Sequence, residues 1–213
     1  VPANPNFIVA SNGLLDSVTN DGDKNTFFWK EKYPITTYLV SLAIYPYTIW
    51  SEQYISSISN DTMAIEHYVF PDRYESSFSN YSLTGEMISF FSGLFGEYPF
   101  ISEKYGHADF KWGGGMEHQT LSSMGSSSQN LIVHELGHSW WGNLITCKTF
   151  NDIWLNEGFA RYCQALWVEH INGKEAYFSF MNDYAYYGDG TIYVENPSSN
   201  SQIFNSNLSY NKA

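Results

Sequence analysis

The stretch His134-Glu135-Leu136-Gly137-His138 is followed, after eighteen intervening residues, by Glu157 within Asn156-Glu157-Gly158. Two histidines four apart stand on one face of a helix, so both rings reach a single ion. Glu157 adds the carboxylate that completes a two-imidazole, one-acid set, which is the donor set of an open, hydrolytic zinc site. Glu135 then points beside the metal and not at it. The same pentapeptide also suits an amphipathic core helix whose histidines are merely hydrogen-bonded, and it is the downstream acid that favours the metal.

One Zn2+ ion held by His134, His138 and Glu157 keeps a fourth position for water and lowers the pKa of that water toward ~7. Glu135 is positioned to take the water proton and return it to a leaving amine, which is general acid-base work.

The rest of the chain sets bounds on this reading. With 213 residues it is long enough for one substantial domain, or for one domain and part of another. Its 43% hydrophobic and 18% aromatic content indicates a packed globular protein. The longest apolar pieces are broken well short of a membrane span, so no membrane partner is expected. A formal charge of −12, with only 10 Lys plus Arg, opposes the basic surface that nucleic acid selects. Cationic peptide termini suit such a surface. Cys147 and Cys163 lack the spacing of a thiolate zinc site. Two free thiols are expected, with a bridge in an oxidising compartment as the alternative.

Residues 1–62 read as strand material: Asn12-Gly13 and Asp21-Gly22 are turn signals, and Ile35 to Tyr47 is rich in β-branched and aromatic residues. The character becomes mixed near residue 62. Met87 to Phe95 reads as a helix closed by Gly96 and Pro99. Ser126 with Gln129 fits a capping box that starts the helix of the pentapeptide, which should stop near Gly142. A second helix is expected from Asp152 to His170, with Phe159, Cys163, Leu166 and Trp167 as its core stripe. His67, His107 and His170 have no partner at ligand spacing and read as surface or hydrogen-bonded structural histidines.

Three motifs in order carry a resemblance: Gly114-Gly115-Met116-Glu117-His118, then His134 to Asn143 in the form HELGHSWWGN, then Trp154-Leu155-Asn156-Glu157-Gly158-Phe159-Ala160. Together they resemble the gluzincin zinc aminopeptidases. The resemblance implies an α+β fold, with a thermolysin-like catalytic domain (63–213, truncated at its C-terminal end) preceded by the C-terminal part of an all-β domain (1–62). It implies that Glu117 binds the free α-amine of a peptide while the glycine-rich edge of Gly114, Gly115 and Met116 pairs with the substrate backbone. It also implies that Tyr210, in Tyr210-Asn211-Lys212-Ala213, donates a hydrogen bond to the oxyanion of the reaction. His118 departs from the family's commoner Asn, and Ala213 from its usual Gly.

The expected function is therefore zinc-dependent removal of N-terminal residues from peptides with a free N-terminus. The alternatives are an endopeptidase or epoxide hydrolase on the same scaffold, or a zinc-stabilised module that binds peptides without cutting them. A secreted or periplasmic address is expected from the acidic, Ser- and Asn-rich composition and from the family's habit, with a cytoplasmic one as the alternative.

Overall fold

A computed structural model describes residues 1–4 and 6–213. It mixes strands and helices and separates into two compact units, 1–132 and 133–213. Among the described residues, no helix is long and apolar enough to cross a membrane.

The N-terminal unit opens with β1 (Ile8–Ser11), β2 (Leu14–Asn20) and β3 (Asn25–Lys30), followed by a 3-10 turn at Thr37–Leu39 and β4 (Leu42–Tyr45). Asp21-Gly22 turns β2 back onto β3, with Gly22 at φ 97. β1 pairs with β4 across the chain. The segment Ile35 to Tyr47, expected as one strand-forming piece, is split by the 3-10 turn. The cause is tertiary: the Leu39 carbonyl accepts from Asn12 and from the Gln119 backbone, which pulls it out of extended geometry.

β5 (Thr48–Ile55) and β6 (Thr62–Val69) form a hairpin. After it come α1 (Tyr74–Tyr81), α2 (Thr84–Phe95) and the strands β7 (Lys104–Asp109), β8 (Gly115–Met116) and β9 (Ser122–Met124). These build a sheet in the order β5-β6-β7-β9-β8, in which β6 to β9 are parallel and both ends antiparallel. The domain boundary expected at residue 62 falls inside the β5–β6 hairpin, whereas the compact units meet between Ile132 and Val133. Helix-period burial of Met87, Ile88 and Phe91 holds α2, and Gly96 at φ 95 ends it as expected. β7 is buried at every position, as a strand flanked on both sides must be. Ala10, Tyr68, Ala108 and Leu121 close a core over which Ile8, Trp29, Ala43 and Tyr47 pack, so the first strands rest on the five-stranded sheet.

The C-terminal unit is helical. α3 (Gln129–Gly137) enters it, followed by α4 (Trp154–Asn172) and α5 (Lys174–Tyr184), with α5 packed against α4. A short α6 (Asn200–Ile203) precedes a π-helical turn at Ser206–Lys212, which also packs on α4. α4 lies within two residues of its expected span. α3 differs more: the first helical bonds run to the carbonyl of Ser128, so the chain enters the helix there and not at a capping box on Ser126. It stops at Gly137, where 138–140 turn away.

Candidate metal centre and substrate edge

α3 and α4 carry the donor atoms. His134 and His138 sit one turn apart, and the His138 amide still makes a helical bond to the His134 carbonyl at 3.2 Å. Glu157 lies in the first turn of α4. Its Oε2 stands 3.1 Å from His134 Nε2 and 3.4 Å from His138 Nε2, and the two Nε2 atoms are 3.2 Å apart. Tetrahedral ligands at about 2.0–2.1 Å from zinc lie about 3.3 Å from one another. The triangle of these three atoms therefore matches the face of one zinc coordination shell.

The orientation of His138 supports the same reading. Its Nδ1 lies 3.0 Å from the carbonyl oxygen of Trp141, which can only accept, so Nδ1 carries the proton and Nε2 presents a lone pair to the centre. Three electron-pair donors converging this closely call for a cation between them. Gly142 makes the turn possible: at φ 141 it favours glycine, and a Cβ there would press on His138 Nδ1 at 3.1 Å. Buried Asn156 fixes the return of the chain by accepting from the Cys147 amide at 3.2 Å.

Electrostatics favour ligand protonation states. Burial lowers the pKa of His134 and keeps its ring neutral. For Glu157 burial alone would raise the carboxyl, but the histidine rings beside it, His138 first, outweigh burial and hold the group well below the usual carboxylate range.

Glu135 lies outside the converging trio. It is buried, with a carboxylate oxygen within 4.8 Å of a His138 ring nitrogen. Tyr210 lies in the π-helical turn, its ring stacked on His134 at 5.9 Å and 18°. The Asn205 side chain caps that turn by accepting from the amides of Asn207 and Leu208. Gly158 lets the turn approach, since a Cβ would come within 2.5 Å of the Ala213 methyl. Arg161, one turn beyond Glu157, lies over the rings of Tyr184 at 4.5 Å and Tyr210 at 5.9 Å, a neighbour the motif reading missed.

In the N-terminal unit, Gly115 and Met116 form β8, which among the described residues is the last strand of its sheet and pairs with β9. Gly114 precedes it at φ 79, and its carbonyl accepts from the Gly125 amide at 2.8 Å. Glu117 follows directly and is 6% exposed. His118 turns back through Nδ1 to Ser123 Oγ at 3.0 Å, and burial lowers its pKa to about 4, so this residue stays neutral.

Of the histidines left aside above, His67 and His107 pair across β6 and β7, fully buried, with their Nδ1 atoms 3.1 Å apart. Both have lowered pKa values from burial, in keeping with a structural role. Cys147 and Cys163 are both free thiols.

Residues 86–213 match the Peptidase family M1 domain, more than half of the chain. The chain belongs to Peptidase family M1. M1 relatives include glutamyl aminopeptidase of Rattus norvegicus, 30% identical over 172 residues covering 73% of this chain and 18% of that protein. Aminopeptidase N of Homo sapiens is 31% identical over 156 residues, 64% of this chain and 16% of that one. The chain thus spans less than a fifth of the length of these curated relatives. The M1 zinc metallopeptidase of Deinococcus radiodurans, solved as an E323A mutant bound to a Tyr-Ser-Ala substrate, has the same fold with a TM-score of 0.70. It is 24% identical and covers 84% of this chain and 41% of that one.

Proposed function

We propose that the intact protein is a zinc-dependent aminopeptidase that hydrolyses N-terminal residues from peptides, using one zinc ion. The observation that carries this reading is the convergence of His134 Nε2, His138 Nε2 and Glu157 Oε2 at 3.1–3.4 Å. Zinc held by these atoms would supply Lewis acidity toward the scissile carbonyl and acidify the attacking water.

The chain's own groups do the rest. Glu135 takes the proton from water and delivers it to the nitrogen of the leaving amine, a role open to it because its carboxylate is not one of the three ligands. Tyr210 donates its hydroxyl to the carbonyl oxygen as negative charge develops there. Glu117 accepts from the free α-ammonium, and the edge strand of Gly115 and Met116, with Gly114 before it, offers backbone groups to the peptide. An acceptor for a cation at the chain end favours an exopeptidase over an endopeptidase or an epoxide hydrolase. We assign a secreted or periplasmic address on the acidic composition.

The test compares an aminoacyl anilide with its N-acetylated counterpart on the intact protein. The acetylated substrate should be cleaved far more slowly, and equal cleavage of both would defeat the exopeptidase assignment.

A further inference from the structure

Asn12-Gly13 is a strong turn signal, yet β1 pairs with β4 and β2 with β3, so no hairpin uses it. The Asn12 side chain is buried instead, and its amide joins two other segments, around residues 39–41 and at Gln119. Nδ2 donates to the carbonyl oxygens of Leu39 at 3.0 Å and Gln119 at 2.5 Å, while Oδ1 accepts from the Ser41 amide at 2.6 Å. The Gly13 amide donates to Thr120 Oγ1 at 2.8 Å. Gly13 itself is confined: it adopts φ 67, and a Cβ would collide with the Lys30 carbonyl. From the other side the buried Lys104 Nζ donates to the carbonyls of Ser11, at 2.8 Å, and Gly13.

The residues gripped in this way stand directly after Glu117 and His118. Gln119 is held further by its amide to the Leu39 carbonyl at 3.2 Å, and by Nε2 to Glu31 and Pro34. Thr120 sits at φ 63, a left-handed conformation that a β-branched residue adopts only when its surroundings impose it. The hydrogen bond from Gly13 is such an imposition.

We propose that Asn12 is a positioning residue for amine recognition: with Gly13 it clamps Gln119 and Thr120 and thereby fixes the backbone that aims Glu117. This rests on the reading of Glu117 as the acceptor of the substrate ammonium. A charged hydrogen bond to a substrate terminus is sensitive to shifts of about 1 Å, so the clamp acts through Glu117 without touching substrate.

The experiment uses the intact protein. Asn12→Asp keeps size and shape but turns an acceptor toward two carbonyls, and Thr120→Val keeps shape but loses the hydroxyl that Gly13 needs. For each, kcat and KM on an aminoacyl anilide are measured per zinc-loaded protein, with the inhibition constant of the free amino acid. KM and the inhibition constant should rise about tenfold while kcat changes less than about threefold, and Thr120→Ser should stay near the parent. In a Glu117→Ala background, Asn12→Asp should raise KM no further.

A merely structural role would lower the active fraction and leave KM and the inhibition constant unmoved, which would overturn the proposal. So would an undiminished KM rise in the Glu117→Ala background. If Asn12→Asp does not fold, the Thr120 pair decides the same question. Loss of selectivity for the free amine in the unaltered protein would sink the Glu117 reading together with this inference. Intact selectivity with an unchanged KM in the variants sinks the inference alone.

Discussion

Gly137 meets Cys163 so closely that a Cβ on the glycine would lie 3.0 Å from both the Cβ and the Sγ of the cysteine. The glycine inside the metal motif thus sets how near α3 comes to α4, and with it the reach from His134 and His138 to Glu157. Gly137→Ala should force the helices apart by a few tenths of an ångström and destabilise the fold by about 1–3 kcal/mol. Zinc affinity, measured by competition with a chelator, should fall roughly tenfold to a hundredfold, as for other changes just outside a ligand shell. Unaltered affinity would show that the donors adjust freely.

Glu135→Gln preserves shape and leaves His134, His138 and Glu157 in place. It should retain stoichiometric zinc and lose about two to four orders of magnitude in kcat, read by metal analysis beside steady-state kinetics. Undiminished turnover would remove Glu135 as the proton carrier.

Tyr210→Phe keeps the ring that stacks on His134 and deletes only the hydroxyl. The expected result is a kcat about a hundredfold to a thousandfold lower, with KM little changed, because the lost bond is made to charge that develops during the reaction. A rise in KM alone would assign Tyr210 to substrate binding.

The parts of the site that were legible in the sequence are those where chemistry and helical period coincide. His134 and His138 are spaced one turn apart, and Glu157 opens the next helix, so motif spacing carried the three side chains whose donor atoms converge. The buried stripe of α4 was harder to read: Asn156, Glu157, Ala160, Cys163, Gln164 and Trp167 face inward, while Phe159 and Leu166 are only half-buried. Polar Asn156 and Gln164 on that face are invisible to an apolar pattern. The Trp141 carbonyl that orients His138 is a backbone group, and its only trace in the sequence is Gly142. Asn12-Gly13 has the composition of a tight turn, and only its partners 107 residues away reveal a clamp.

Stability should also depend on pH through the N-terminal unit. Burial, reinforced by the hydrogen bond and charge of Glu103, pushes the Glu31 carboxyl from 4.5 up to about 7. Between these values the folded state holds a proton that the unfolded chain has released, so this contribution is complete below 4.5 and is lost as pH rises through about 7. Glu31→Gln should flatten the decline of Tm across that window. A parallel decline in parent and variant would assign it to other groups.

Zinc-edge X-ray absorption on the intact protein tests the central claim most directly. One zinc per chain is expected, with two imidazole nitrogens and carboxylate or water oxygens at about 2.0–2.2 Å, and with the signal abolished in Glu157→Ala. Sulfur at about 2.3 Å, or less than stoichiometric zinc in metal-replete protein, would contradict a centre built on His134, His138 and Glu157.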